Sequence, residues 1–542
     1  MTKIISSLFI LHLCFIVPLF SQNFIWANGN GSNGNDAGSQ LIKGNDGFIY
    51  VAGSFQNSIS LGTINLVSSG SSDFFLAKVD PADGHYIWVK QGGSAGADQI
   101  TCLIFNAAGN LCFGGYANGD VMFGNQTPPT YGNEDGFVFV TDTAGNALDA
   151  ISIGGTQADR VKGICKDGNG IAIVGEFQGT THCGTLQATS TGGNNDYDIF
   201  LIPYINNTPS WIQSYGSAIS IDQVFGVCKQ ANDYAIAATF TNTINFGATQ
   251  LTNGGADDVY YGLTTSTGAA ILGMKISGPA EEYTVGIGTD ALNNAYLIFG
   301  FTQTCTVGNN AISSPGGAND LEIGIVKMSS AGNVVWVKYS GGLDDIIAKS
   351  CNVTSDGTTF VTGSFAGNVS FDGLTLAAST GNYVDMYCAS YKSDGTSFCA
   401  FKGGGINADE TGFDIWATSS DDIYLTGNYS ANTNLGTVSL NSYGQADFFV
   451  ARLGFQSAIV ENNKKPVLLF PIPAIDFLNL IFESDQKKLL IIKDDFGRTV
   501  LKQNITGDSV KIKIDFLING HYTVEIFSDN LKCNAEFVKQ SN

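Results

Sequence analysis

Seven in-phase copies of one unit run down this 542-residue chain, and this repeat constrains the fold more than any other feature. The first landmark is a residue, usually small, two positions before an aromatic: Gly53/Phe55, Gly114/Tyr116, Gly175/Phe177, Ala238/Phe240, Phe299/Phe301, Gly363/Phe365 and Gly427/Tyr429. The second is an acid that opens an apolar run: Asp73, Asp135, Asp198, Asp258, Asp320, Asp385 and Asp447. The third is an acid after a Gly-rich turn: Asp36, Asp98, Asp159, Asp222, Glu281 or Glu282, Asp345 and Asp409.

Each copy is predicted to form four short strands. In the first copy, turn residues and apolar runs predict strands at 40–43, 48–55, 74–79 and 86–90. Gly47 and Gly84 supply the positive φ that the tight turns between successive strands need. Four antiparallel strands in about 60 residues are typical of one propeller blade. A linear solenoid is the alternative arrangement.

The two ends of the array predict that it closes on itself. The last copy ends after its third strand, at 448–452, and lacks a fourth. Trp26 precedes Asp36 by ten residues, as Trp88 precedes Asp98, so the missing strand lies at the N-terminus. Pairing there removes the free sheet edges. We therefore predict an all-β fold in which residues 22–460 form a seven-bladed β-propeller with four-stranded blades, whose N-terminal strand closes the last blade.

These motifs resemble the SBBP-type β-propeller repeat of secreted bacterial proteins over about four fifths of the chain. The resemblance is carried by Gly53-x-Phe55, Asp73-Phe-Phe-x-x-Lys78, Gly84-x-x-x-Trp88 and Gly92-Gly93. Two copies depart from the pattern, with Phe299 in place of the glycine and Ala150 near the Trp position. The resemblance implies a propeller fold and no fixed activity.

The first 21 residues predict a secretory signal peptide. Lys3 precedes an apolar run at 4–20. An uncleaved membrane anchor is the alternative, and the shortness of this run for a bilayer span argues against it. No other stretch is long enough to cross a membrane, and we expect no membrane span in the mature chain.

The composition changes at Pro466, after a polar linker at 461–465. Residues 466–542 contain Pro471-Ile-Pro-Ala, Phe496-Gly-Arg498 and Gly520-His-Tyr522, in an order that resembles the type A C-terminal sorting domain of the type IX secretion system. The resemblance implies export through the periplasm to the cell surface or medium, with the type IX machinery as partner. The strand and turn pattern predicts a small Ig-like β-sandwich. An additional binding module of Ig type is the alternative.

Charge excludes nucleic acid as a partner. The net charge is −22, and residues 22–463 carry 14 basic and 38 acidic side chains, while 464–542 carry 11 and 10. A phosphate backbone requires a basic face, which this composition does not provide.

Eleven cysteines do not predict a disulfide framework in a chain large enough to bury its own core. Cys165, Cys228 and Cys351 share one repeat position, which is typical of small buried side chains in a strand. Two hairpin pairs leave a disulfide open: Cys102 with Cys112, and Cys388 with Cys399.

The repeated acids are predicted to cap turns, since an Asp beside a Gly turn bonds to its own backbone. Hard cations also prefer carboxylate oxygens, so the acidic doublets of consecutive copies are the Ca²⁺ candidates: Glu281, Glu282, Asp344, Asp345, Asp409 and Glu410. We expect no cofactor, and no Ca²⁺ requirement for folding.

Histidine-based catalysis is not expected, because His85, His182 and His521 fall in unrelated contexts and no nucleophile, zinc or P-loop motif occurs. The four tryptophans Trp26, Trp88, Trp211 and Trp336 share a repeat position, which favours packing over sugar stacking. We therefore expect a monomeric, secreted or surface-displayed binding or adhesion scaffold for a glycan or protein, not an enzyme. The alternatives are a polysaccharide-acting hydrolase or lyase that uses channel carboxylates, and a purely structural surface component.

Overall fold

The computed structural model describes residues 22–455, except 219–220, 318–319, 380–382 and 420–421. Beyond these it describes 468–470, 474, 476–481, 487–494, 498–507, 509–528 and 531–539. The predicted signal peptide and the linker at 461–465 lie outside the described residues. Apart from one 3-10 turn at Gly193–Asn195, the described elements are all β-strands. Residues 24–454 form one compact unit, and the described residues from 455 onward belong to a second.

Seven antiparallel sheets, none closed into a barrel, make up most of the first unit and are numbered here in chain order. Sheet 1 contains Ala37–Lys43, Ile49–Phe55, Asp73–Val79, Tyr86–Gly93 and Met122–Phe123. Sheet 2 contains Asp98–Phe105, Leu111–Ala117, Asp135–Thr141, Ala147–Gly155, Thr180–Cys183 and Leu186–Thr189. Sheet 3 contains Asp159–Asp167, Gly170–Gln178, Tyr197–Ile205, Thr208–Pro209 and Gln213–Tyr215.

The remaining four sheets repeat the same order of strands. Sheet 4 contains Asp222–Gln230, Asp233–Phe246, Thr249–Thr264, Ala270–Ser277, Thr304–Val307 and Asn310–Ser313. Sheet 5 contains Glu282–Thr289, Ala295–Phe301, Glu322–Met328, Val334–Gly342, Asn368–Phe371 and Leu374–Ala377. Sheet 6 contains Ile346–Val353, Thr359–Phe365, Asp385–Tyr391 and Ser397–Gly403. Sheet 7 contains Glu410–Ser419, Asp422–Tyr429, Asp447–Phe455 and, as its fourth strand, Gln22–Asn30.

The sheets contact one another in cyclic order. The first strand of each sheet lies against the first strand of the next, and that of sheet 7 lies against that of sheet 1. A single parallel bridge joins Ser72 to Ala97 between sheets 1 and 2, and the same bridge joins Asn35 to Ala446 between sheets 7 and 1. The N-terminal strand pairs with Asp447–Phe455, as the matching tryptophan offsets predict.

The hydrophobic core lies between neighbouring sheets. Second strands such as Ile49–Phe55 are buried on both faces, which explains their continuous apolar sequence. Between sheets 7 and 1, the Phe75 and Phe448 rings lie edge to face with centroids 5.1 Å apart, and Trp26 is buried in the same cluster. Each sheet therefore depends on its neighbours for the burial of its apolar faces.

Every first strand carries a β-bulge three or four residues after its landmark acid. The register with the second strand shifts there in all seven sheets. The extra residues are Ser39, Thr101, Lys162, Phe225, Val285, Lys349 and Phe413. A bulge bends the strand and redirects the extra side chain.

The sequence did not predict the structure within the long connections. The connection read as a loop in the first copy contains a hairpin, Ser58–Leu61 with Ile64–Val67, and the last copy contains another, Thr433–Leu435 with Val438–Leu440. In other copies the equivalent hairpin pairs with the fourth strand of the preceding sheet, as Thr180–Cys183 does with Ala147–Gly155. These hairpins are four residues or shorter on each side, which is below the length at which periodicity is legible.

The second unit consists of two small antiparallel sheets that share a core. One contains Leu468–Phe470, Phe477–Ile481 and Ser509–Lys513; the other contains Thr499–Ile505, Lys488–Asp494, Gly520–Ser528 and Leu531–Lys539. Leu478, Leu490 and Val524 are fully buried between them. Within the described ranges of the whole chain, no helix is long and apolar enough to cross a membrane.

Candidate functional site

Two acidic positions recur where neighbouring sheets meet. In sheet 2, Asp98 on the first strand and Asp135 on the third both lie opposite Ala117 of the second strand. The equivalent third-strand residues are Asp73, Asp135, Asp198, Asp258, Glu322, Asp385 and Asp447. The equivalent first-strand residues are Asp36, Asp98, Asp159, Asp222, Glu282, Ile346 and Glu410.

The structure corrects the predicted series at three positions. Glu322, not Asp320, occupies the third-strand position of sheet 5. Ile346 occupies the first-strand position of sheet 6, one residue after the predicted Asp345. In sheet 7 it is Glu410 that lies opposite Tyr429, one residue after the predicted Asp409. The copies were aligned in sequence on single acids, but the pairing register of each strand is set by which of its residues are buried.

The buried acids cap the turns that precede them. In seven cases the backbone N–H four residues earlier donates to the carboxylate: Ser32 to Asp36, Ser69 to Asp73, Ser94 to Asp98, Tyr131 to Asp135, Gly254 to Asp258, Gly278 to Glu282 and Tyr443 to Asp447. This is the bonding expected of an acid beside a Gly-rich turn. The turn-capping interpretation of the acidic series is therefore confirmed for these seven residues.

Acids of adjacent sheets also face one another across the junctions. Five such pairs repel electrostatically: Asp447 with Asp36, Asp73 with Asp98, Asp135 with Asp159, Asp258 with Glu282 and Asp385 with Glu410. Burial, and then the neighbouring carboxylate, raise the pKa of Asp159 and of Glu410 to about 8. Such groups hold a proton near neutral pH and are poor ligands for a cation.

The six Ca²⁺ candidates are not brought together. Glu282 and Glu410 are buried at two different sheet junctions, while the other four are exposed. Asp345 accepts the Leu321 N–H at 2.9 Å, and Asp409 accepts the Val384 N–H at 3.0 Å. Among the described residues no group of three His, Cys, Asp or Glu side chains is placed to hold a metal ion.

The nine cysteines from Cys102 to Cys399 are free thiols. Cys102 lies opposite Gly114, and Cys112 opposite Ile104, so this hairpin does not align the two sulfurs. In the other hairpin Cys399 lies opposite Ser390, two residues along the strand from Cys388. Neither predicted pair forms a disulfide in this structure.

The histidines and tryptophans lie apart. His85 sits in an exposed turn beside Asp83, at 2.6 Å, and His182 stacks on Tyr131 in sheet 2. The side chain of His521 is outside the described residues. Tryptophans at the shared position anchor neighbouring sheets: the indole N–H of Trp26, for example, donates to the Pro81 carbonyl at 2.9 Å. These observations support packing roles for the shared Trp position.

A cavity of about 370 Å³ lies between the first and second strands of sheets 6 and 7. Lys349 and Phe413, the bulge residues of these two sheets, both line it. Thr411, Asn428 and Ser364 add hydroxyl and amide groups to its wall. A mostly apolar hollow with a few convergent polar groups is typical of a small-ligand site.

Sequence reasoning missed this cavity. It depends on the bulges, which redirect side chains that simple alternation assigns to the opposite face. One signal was available: the bulge residue comes three or four positions after each landmark acid, and a lysine stands there in two copies, at Lys162 and Lys349.

Two sequence motifs of the second unit lie at the starts of strands. Arg498 of the Gly-Arg motif precedes the strand Thr499–Ile505, and Gly520 of the Gly-x-Tyr motif begins Gly520–Ser528, an internal strand of its sheet. Residues 468–540 match the family of the secretion system C-terminal sorting domain. This sorting domain supports export by the type IX secretion system to the cell surface or the extracellular space. It also identifies the type IX machinery as a partner of this part of the chain.

Similarity to two other proteins was also found. The regulatory protein FlaEY of Caulobacter vibrioides is 24% identical over 372 residues, which cover 67% of this chain and 33% of FlaEY. The chain thus spans about a third of the length of this curated relative. Among solved structures, PorZ, described as an essential surface component of the type IX secretion system of Porphyromonas gingivalis, is 10% identical with a TM-score of 0.18, over 95% of this chain and all of that one.

Proposed function

We propose that residues 24–454 form a seven-bladed β-propeller of the SBBP type, which the sorting domain delivers to the cell surface, where it acts as a binding or adhesion scaffold. The observation that carries this proposal is the match of residues 468–540 to the sorting domain. The cyclic contacts of the seven sheets support the propeller arrangement. In this arrangement each sheet is one blade, and the N-terminal strand completes the seventh.

Binding is proposed in preference to catalysis because of where the acids lie. A glycosidase requires two carboxyl groups that both reach the substrate. The repeated acids are instead buried, and seven of them are held by turn N–H groups. The scaffold is further proposed to act as a monomer without a cofactor.

Scaffold and enzyme are separated by one pair of measurements on the purified mature chain. An array of neutral and acidic glycans tests binding, and reducing-end or unsaturated-product assays on the same glycans test cleavage. The proposal expects retention on the array without product formation. Turnover of any bound polysaccharide would replace the scaffold with the hydrolase or lyase alternative.

Export is tested by truncation after Asn463 in a host with type IX secretion. The sorting domain is the part of the chain that the machinery recognises, so the truncated protein is expected to accumulate in the periplasm. The purified truncated protein should melt at the same temperature as the exported one, because residues 24–454 form their own compact unit. Undiminished release of the truncated protein would assign the second unit a role other than sorting.

A further inference from the structure

The basic side chains of this acidic protein are mostly paired. Nine of the 14 in residues 22–463 lie within 4 Å of a carboxylate. Lys349 is one of the five that do not, and within the described part of the chain its ammonium also makes no hydrogen bond. The Lys349 side chain is exposed at the cavity, and the surrounding protein lowers its pKa by desolvation.

The surroundings of Lys349 have the chemistry of a polar ligand site. Thr411, Ser364 and Asn428 line the same cavity, and none of their side chains has a hydrogen-bond partner among the described residues. Phe413 supplies an aromatic wall. Unused donors and acceptors beside an unpaired cation in one hollow are arranged for a partner that the protein itself does not supply.

The rim adds one further acceptor. Asp409 also lines the cavity, and one of its two carboxylate oxygens accepts the Val384 N–H. A ligand with a carboxylate near Lys349 and hydroxyls near Thr411, Asn428 and Asp409 would satisfy these groups together. An aromatic side chain packs well against the C–H face of a sugar ring.

We propose that the cavity between sheets 6 and 7 binds the uronic acid residue of an acidic polysaccharide, with Lys349 bound to its carboxylate and Phe413 packed on its ring. This inference rests on the proposed binding function and names its ligand class and its location. A charged donor on a carboxylate gives a strong, directional bond, and it distinguishes acidic from neutral sugars.

The test is calorimetric titration of the mature chain with tetragalacturonate, and with the neutral galactose tetramer as the matched ligand. Tetragalacturonate is expected to bind, and the neutral tetramer to bind at least about tenfold more weakly. Lys349→Gln is expected to weaken tetragalacturonate about tenfold or more and to leave the neutral tetramer unchanged. Phe413→Ala is expected to weaken both ligands.

Two lysine variants serve as controls. Lys392→Gln removes an equal charge from an exposed position beside Phe398, and is expected to bind as the parent does. Lys162→Gln changes the equivalent bulge position of sheet 3 and is also expected to have no effect. Equal losses from Lys162→Gln and Lys349→Gln would move the ligand out of this cavity and overturn the assignment.

The remaining outcomes separate this inference from the proposed function. Failure of the mature chain to bind tetragalacturonate, while it still binds another glycan on the array, overturns the inference alone. Failure to bind any glycan overturns the inference and, with it, the glycan-binding form of the scaffold. Full binding by a folded Lys349→Gln variant, with an unchanged melting temperature, also overturns the inference.

Discussion

The junction between sheets 7 and 1 and the junction between sheets 1 and 2 are built from the same parts. Each has one parallel backbone bridge, Asn35 to Ala446 in the first and Ser72 to Ala97 in the second. Each also has two capped acids and a pair of packed phenylalanine rings. They also share connectivity, because Gln22–Asn30 of sheet 7 runs directly into Ala37–Lys43 of sheet 1, as Tyr86–Gly93 of sheet 1 runs into Asp98–Phe105 of sheet 2. They differ in the preceding sheet: in sheet 7 the fourth strand is joined to the other three strands only by non-covalent pairing with Asp447–Phe455, so we call the junction between sheets 7 and 1 the closing junction.

The closing junction carries additional polar contacts. The Asp414 carboxylate accepts the Leu41 N–H at 2.7 Å and the Ser350 hydroxyl at 2.5 Å, and so ties sheets 6, 7 and 1 together. Lys43 of sheet 1 forms an ion pair with Asp422 of sheet 7 at 2.5 Å. Internal junctions contain polar bonds of the same kind, such as that from the Thr101 hydroxyl to the Val161 carbonyl between sheets 2 and 3. The comparison teaches that the closing junction is built like the internal ones, and that closure of the ring depends on strand pairing inside sheet 7.

The largest expected effect comes from removing the closing strand. Deletion of residues 23–27 removes Phe24 and Trp26 from the core and exposes the third strand of sheet 7. Truncation of two large buried aromatics costs about 3–5 kcal/mol each, so we expect a loss of roughly 5 kcal/mol or more. Thermal and urea unfolding of the two proteins measure it, with the truncation after Asn463 as a control for shortening. Equal stability of the deletion and the parent would contradict closure.

The next effect distinguishes the closing junction from internal ones. Asp414→Ala leaves the Leu41 N–H and the Ser350 hydroxyl without their acceptor, and should destabilise the protein by about 2–4 kcal/mol. Ser350→Ala removes one of the two donors and leaves the other bond intact, so about 1 kcal/mol is expected. Urea denaturation compares the two variants. Equal costs would show that the bond from the Leu41 N–H to Asp414, between sheets 1 and 7, contributes nothing of its own.

Stability is expected to fall as pH rises from about 5 to 8. The folded-state pKa of Glu410 and of Asp159 is raised to about 8 by burial, above the ordinary carboxyl range. Their stabilising contribution is complete below the unfolded pKa and is lost as pH rises through the folded value. A plot of melting temperature against pH across this range should be flatter for Glu410→Gln than for the parent.

Asp36, at the closing junction, provides the matched variant for this pH test. Burial raises its pKa as well, but the Ser32 and Gln56 N–H groups bond to both of its oxygens and favour the charged form. Asp36→Asn should therefore flatten the pH dependence less than Glu410→Gln does. The reverse order would mean that the closing junction, rather than the internal ones, holds the most strongly protonated acids.

The smallest expected effect is that of Ca²⁺, at either kind of junction. Backbone N–H groups already occupy the capped carboxylates, and the raised pKa values favour protonated acids. A site with a Kd of about 5 mM would add only about 0.4 kcal/mol at 5 mM Ca²⁺. We expect no measurable change in melting temperature on adding calcium or a chelator. A chelator-reversible rise would contradict the turn-capping account, and its loss in Asp159→Asn would locate the ion.

Features that depend on the spacing of the repeat could be predicted from the sequence, whereas features that depend on which side chains are buried could not. Strand order, the seven copies and the pairing of the N-terminal strand all follow from spacing, as the offset of Trp26 shows. The acid of the sixth copy was misplaced because Ile346, not Asp345, begins the buried strand. The cavity beside Lys349 was not predicted, since a bulge adds one residue to a strand and does not change the residue composition in a recognisable way.

The closing strand also sets an order in time. Gln22–Asn30 is made before any sheet, yet its partner, Asp447–Phe455, is made after every other strand of the seven sheets. Until then the early segment has no strand to pair with, and joining ends more than 400 residues apart carries a loop-closure cost that grows only slowly with length. Residues 468–540, the sorting domain, are synthesised immediately afterwards. The signal for export thus becomes complete only in a chain that already contains every piece needed to finish folding.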